Sequence, residues 1–172
     1  MTKKLAIIPF SLLIVIVILS LLFGHNPVSI TPHEQIDTGD TAWLLTAAAF
    51  VLIMTPGLAF FYGGMVRKKN VISTMLQSFI CMALISVIWV IFGFSLAFGN
   101  SIGGFIGDPR TFFLMKNVLE GDPWPMAATV PLAVFAFFQL KFAIITPALI
   151  TGAFAERIRF TSYLLFICLF TI

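Results

Sequence analysis

The stretch FQLKFAIITPALITGAFAERIRF, residues 138–160, decides the fold. It is apolar almost throughout until Glu156, Arg157 and Arg159 close it. A run of that length bounded by charge is what a bilayer-crossing helix needs, since the hydrocarbon core takes roughly 20 residues. Phe138 and Phe142 stand four positions apart, so on a helix they share one face about one turn apart. Two rings on one face can line a path, and the amide of Gln139 requires a partner inside the protein. The stretch therefore predicts a helix that faces other protein or a pore as well as lipid.

The same composition extends outward. Sixty per cent of the chain is apolar and 10% charged, whereas a soluble domain carries about 25% charged residues. The expectation is an all-α polytopic membrane protein, a transmembrane helix bundle with spans at about 43–66, 71–98, 126–154 and 160–172. No polar region is long enough to form a separate soluble core. Asp40 and Thr41 suit the start of the first span, and Trp43 suits a membrane interface. Pro56 and Pro147 predict kinks, because proline cannot donate to the carbonyl four residues back. Ala59 with Gly63, and Ala148 with Gly152, form small-residue faces for close helix contact. Between the second and third spans, Gly103, Gly104, Gly107, Pro109, Pro123 and Pro125 break the chain, leaving room for a short helix or turn near 111–118.

Ahead of these spans, Lys3 and Lys4 precede an apolar run at 5–23. Residues 1–24 read equally as a cleaved signal peptide or a retained signal anchor, followed by an external polar segment at 25–40. Alternation from a cytoplasmic start gives a charge test. It puts Lys3, Lys4, Arg67, Lys68, Lys69, Arg157 and Arg159 inside, seven of the ten basic residues. Arg110 and Lys116 fall outside, and Glu156 is the one acidic residue inside. The opposite orientation reverses this bias, so this one is preferred.

Several function classes drop out. The net charge of +3 implies no nucleic-acid partner, because the basic residues flank spans rather than forming a patch. Cys81 and Cys168 lie within apolar spans as small hydrophobes, and no metal-ligand spacing or cofactor motif is present. The spans carry no paired carboxylates, no histidine and no nucleophile beside a base, which argues against an enzyme.

Two motifs carry a family resemblance: MTPGLAFFYGGMVRKKNV at 54–71, and the opening stretch at 138–160. Together they closely resemble the ammonium transporter family (Amt/MEP, related to the Rhesus proteins), over about 37–172. The resemblance implies an eleven-helix fold with an outside amino terminus, a homotrimer with one pore per subunit, a cell (inner) membrane location and a cytoplasmic regulatory partner. It also favours a cleaved signal peptide at 1–24. It implies ammonium as substrate, recruited at an outer aromatic site formed by Phe138 and Phe142. Phe142 also belongs to the ring gate below that site, and ammonia passes through a hydrophobic pore. The family's in-membrane histidines, mouth tryptophan and further aromatics correspond to positions beyond Ile172; His25 and His33 precede the first family helix. The last span, about 13 residues or roughly 20 Å of helix, is short of the roughly 30 Å core. The expectation is an amino-terminal fragment of a transporter subunit; the alternatives are a truncated non-conducting subunit that associates with full-length transporters, or a nonfunctional remnant.

Three polar positions remain. Gln139 reads as an interhelical hydrogen bond. Glu156, Arg157 and Arg159 read as a paired cytoplasmic loop, and Arg67 to Lys69 as a topology signal with a lipid-headgroup role second. Lys141 is the awkward one: a charge near mid-span is costly, and it points about 60° away from Phe138 on the helix. It is expected to face a neighbouring helix or snorkel outward.

Overall fold

Asp37 opens the first helix. Its Oδ1 accepts the backbone N–H of Asp40 at 2.8 Å, satisfying one of the donors that a helix start leaves unpaired. The cap thus falls before Asp40 and Thr41, which lie inside the first turn. The computed structural model describes residues 36–171 apart from Gly121, with three isolated residues nearer the amino terminus. Nearly all of the signal peptide or anchor read at 1–24, and residues 25–35 of the polar segment read at 25–40, lie outside the described residues.

From residue 36 onward, the described residues form five α-helices in order. Helix α1 is Thr38–Met65, α2 is Val71–Ile88, α3 is Phe94–Phe98, α4 is Leu132–Phe154 and α5 is Phe160–Phe170. A π-helical turn, Trp89–Gly93, joins α2 to α3, so that Lys68–Phe98 forms one continuous apolar rod. Among the described residues, three helices are long and apolar enough to cross a membrane: Thr38–Met65, Lys68–Phe98 and Leu132–Phe154. Helix α5 is apolar but shorter. Helices α1 and α4 run unbroken through Pro56 and Pro147.

One boundary differs from expectation. The third span begins at Leu132, not near 126. Pro125 instead opens a short 3-10 turn, Pro125–Ala127, and Pro131 stands in extended conformation as the cap of α4. Proline favours a first-turn position and pushes its preceding residue away from helix, so two of them six residues apart delay the start. The broken region between α3 and α4 holds a two-stranded antiparallel ribbon, β1 (Ser101–Ile102) with β2 (Ile106–Gly107). Residues 111–118 form turns with a 3-10 piece at Phe113–Met115.

Helices α1, α2 and α4 pack against one another, and α5 packs on α2. Small residues allow this. Ala59 and Ala148 are fully buried. A Cβ on Gly63 would lie 2.8 Å from Met75 Cγ, and one on Gly152 would lie 2.6 Å from Tyr62 Cε1. Tyr62 thus lies across Gly152, and its hydroxyl donates to the Leu149 carbonyl at 2.7 Å. At the Asp40 end an aromatic cluster fills the space between the rod and α4. Trp89, Phe94, Phe112 and Phe135 are its buried members, and Phe98 and Trp124 pack against them. Trp89 Nε1 donates to the Ala136 carbonyl at 3.2 Å.

The deepest polar contact joins three helices. The hydroxyl of Tyr163, on α5, meets Cys81 Sγ at 2.9 Å and Thr151 Oγ1 at 2.7 Å, and donates toward the Gln77 carbonyl at 3.4 Å. All sit in the buried interior. Cys81 and Cys168 are free thiols.

Two substitutions test this packing by thermal unfolding in detergent. Gly152→Ala drives a methyl into Tyr62 and should cost about 1–3 kcal/mol. Tyr163→Phe strips the shared hydroxyl and should cost about 1–3 kcal/mol, because Thr151 loses a buried partner.

Candidate functional site

Helix α4 carries the candidate pair. Phe138 and Phe142 meet with ring centroids 5.0 Å apart and planes at 73°. The rings are edge to face, not flat upon each other, which is the arrangement that sets a positive ring edge against a negative ring face. Phe142 is 43% exposed and Phe138 half-buried, so the pair stands on a flank of α4 left open among the described residues. The Thr146 hydroxyl donates to the Phe142 carbonyl at 2.7 Å, one turn on, just before Pro147.

Phe138 also lines a cleft of about 300 Å³ at the Asp40 end, between the starts of α1 and α4. Asp40, Trp43, Thr129, Phe135 and Gln139 share that lining. Two hydrogen bonds tie its two walls together: the Asp37 N–H donates to the Thr129 carbonyl at 2.9 Å, and Thr129 Oγ1 donates to Asp40 Oδ2 at 2.7 Å. Gln139, expected to bond across helices, makes no hydrogen bond among the described residues and faces this cleft instead. Side-chain bonds between helices come instead from Tyr62, Tyr163 and Trp89, none of which residue type alone marks as a helix-to-helix donor. For Tyr62 the signal was the small residue facing it, Gly152.

Lys141 is buried, with 6% of its surface exposed, and its Nζ lies 3.6 Å from the Phe137 ring centroid. Its side chain therefore reaches back one turn toward the Asp40 end while staying covered. Among the described residues no cluster of histidine, cysteine, aspartate or glutamate is arranged to hold a metal.

At the other end of the bundle Glu156 pairs differently from expectation. Its partner is not Arg157 or Arg159 but the loop after α1. Oε1 accepts the Arg67 backbone N–H at 3.0 Å and Asn70 Nδ2 at 2.8 Å, and Oε2 accepts Arg67 Nε at 3.1 Å. The backbone of Glu156 turns at φ 62°, a left-handed conformation in which residues bearing a Cβ are uncommon. That turn aims the carboxylate away from its sequence neighbours and across to the other loop. The Asn70 amide, with the Arg67 backbone and guanidinium, holds the Glu156 carboxyl below the usual carboxylate range.

Three apolar rods closed by charged loops, with an aromatic pair on one of them, define a multi-pass α-helical membrane protein. The chain belongs to the Ammonium Transporter Family, whose model matches residues 42–172. It is 47% identical over 143 residues to a Mycobacterium bovis protein named ammonium transporter, covering 76% of this chain and 30% of the relative. A Bacillus subtilis ammonium transporter is 48% identical over 130 residues, covering 74% of this chain and 31% of the relative. Among solved structures, the Candida albicans Mep2 mutant R452D,S453D aligns with a TM-score of 0.68 at 34% identity. Mep2 of Saccharomyces cerevisiae aligns at 0.65 and 35%. Each of these alignments covers 80% of this chain and 30% of the Mep2 chain. The chain thus spans about a third of the length of the relatives it matches.

The Glu156 tie has a definite pH signature. Because its folded pKa is depressed, its stabilisation is complete above the ordinary carboxylate range and is lost as pH falls through the folded value. Glu156→Gln should lower the unfolding temperature at neutral pH, and the gap from the parent should close under acid, read by thermal scans from neutral to acidic pH.

Proposed function

We propose that this chain forms part of an ammonium-transporting membrane protein, with Phe138 and Phe142 at the mouth of the path. The observation that carries the reading is the edge-to-face pair on an open flank of α4, inside the segment that the family model matches. The Asp40 end faces outward and the Arg67–Glu156 loops face the cytoplasm, as the charge bias requires. The membrane is the cell's inner membrane, and the assembly is a homotrimer open to a cytoplasmic regulatory protein at its basic loops.

The chemistry follows from the cost of charge. An aromatic face offers ammonium about 0.5–2 kcal/mol of cation–π attraction, replacing part of the water it sheds. Closely spaced rings then make a hydrophobic constriction that obstructs hydrated ions. Carrying an ion through such a constriction costs far more than carrying neutral ammonia, so ammonium is split into ammonia, which passes the rings, and a proton, which moves separately or coupled to it. Phe138 recruits; Phe142 recruits and gates. No covalent step is needed.

The test is uptake of labelled methylammonium by cells that lack their own ammonium uptake and express the gene encoding this chain. Phe142→Ala should reduce uptake at low substrate by about twofold to thirtyfold, the equivalent of the lost cation–π attraction. Uptake equal to the parent's would remove Phe142 from the path.

A further inference from the structure

Phe105, near the tip of the ribbon between α3 and α4, is 99% exposed. A lone exposed ring is ordinary on a protein surface, but the course of the backbone that carries this one is not. From the close of α3 the chain doubles back. The Asp108 N–H donates to the Asn100 carbonyl at 2.7 Å, which sets Asp108 level with the end of the rod. A Cβ on Gly99 would lie 2.7 Å from the Asp108 carbonyl oxygen. One residue nearer the tip, Gly107 rests on the rod itself: a Cβ there would strike the Ser95 carbonyl and lie 2.7 Å from the Leu96 carbonyl oxygen. One residue further, Ile106 packs against Ile88, Phe92, Leu96 and Cys168. Asp108, Gly107 and Ile106 therefore descend the rod from its end toward its middle, and Phe105 follows them.

The foot of the ribbon is fixed. Ser95 Oγ accepts the Phe112 N–H at 2.9 Å, and Thr111 Oγ1 accepts the Asn100 N–H at 3.1 Å. Gly103 and Gly104, at φ 62° and 78°, make the left-handed turn that reverses the chain. The depth of the tip follows from lengths. Lys68–Phe98 has 31 residues, roughly 46 Å of helix, against a hydrocarbon core of about 30 Å. About 8 Å at each end therefore stands among headgroups. Phe92 to Phe98 covers about 9 Å of that rod, so a ribbon descending as far brings its tip to the boundary between headgroups and acyl chains. There the ring can meet acyl chains while the Gly103 and Gly104 backbone groups keep polar partners.

We propose that the ribbon at 101–107 is an interfacial anchor, with Phe105 seated at the headgroup–acyl boundary of the leaflet around the Asp40 end. Its partner is the phospholipid surface, continuous with the lipid-facing side of the rod on which the ribbon lies. Residues 101–107, SIGGFIG, carry no charge, so nothing in the ribbon opposes that depth. An aromatic ring suits this layer, where one end of a group is apolar and its surroundings are wet. Because the foot is bonded to Ser95 and Thr111, the anchor sets how far the aromatic end of the rod stands from the bilayer. The proposal holds whatever the protein carries.

The test places a nitroxide on Phe105→Cys, and for comparison on Lys116→Cys, in protein reconstituted into vesicles of phosphatidylcholine and phosphatidylglycerol. Lys116 is an exposed residue of the same region. Cys81 and Cys168 are buried, so the labelled parent supplies the background. Power saturation compares collisions with oxygen, which concentrates among acyl chains, and with a water-soluble nickel chelate. Oxygen should dominate at position 105 and nickel at position 116. Nickel dominance at position 105 would put the tip in water and overturn the anchor. Protection from both reagents would overturn it as well, because protein rather than lipid would then cover the ring. If Phe105→Cys does not accumulate, Phe105→Trp keeps an aromatic tip. Its emission above the parent's should be quenched by acyl-brominated lipid and spared by iodide; the reverse pattern rejects the proposal.

Discussion

Tyr163 carries a hydroxyl into a place that water does not reach, and three helices are arranged by how that hydroxyl is satisfied. In a span this apolar there is little energetic difference between one greasy surface and another, so apolar burial alone does not choose a partner. The hydroxyl does choose. Thr151 on α4 and Cys81 on α2 converge on it within 2.7 and 2.9 Å, and a rotation of any of the three helices would leave a buried polar atom unpaired. The surrounding side chains, Ile85, Ile144, Ala148 and Ile167, then fill the space that this geometry leaves.

The two ends of the bundle are tied by the same logic with different chemistry. At the Asp40 end, Asp37 and Asp40 bond to the Thr129 backbone and hydroxyl, so the start of α1 is pinned to the segment that leads into α4. At the other end Glu156 pins the close of α4 to the loop after α1. Helices α1 and α4 are thus fastened to each other at both extremities, with Tyr62 lying over Gly152 between. The ring pair on α4 is held on a helix that has little freedom to turn.

Much of this was legible in the residues, and the parts that were not share a reason. Spans and loops follow from the length of apolar runs, and Ala59 and Ala148 declared their close contacts because small residues recur at four-residue spacing. The contact between Phe138 and Phe142 is local, so helical period alone anticipates it, though not the tilt of the rings. Contacts between remote positions left no local mark. Glu156 seemed to belong to its neighbours Arg157 and Arg159 until its left-handed turn pointed it at Arg67. The cleft that joins Phe138 to Asp40 and Trp43 exists only once α1 lies beside α4. The late start of α4 was readable in principle, since Pro125 and Pro131 both stand in the run, but hydropathy outweighed them.

The wide turn at Trp89–Gly93 has a consequence for how this rod tolerates change. Its backbone accommodates five residues where an ordinary turn has fewer, with the Phe94 N–H returning to the Trp89 carbonyl. Burial along α2 recurs at Thr74, Gln77, Ser78, Cys81, Ile85 and Ile88, but beyond the turn Phe94, Ser95 and Leu96 are buried in succession. The rod therefore has a phase slip built into it. Loss of one residue there would restore an ordinary winding and swing the aromatic tip around the axis, so the segment is a natural joint at which evolution can re-aim one end of a helix without disturbing the other.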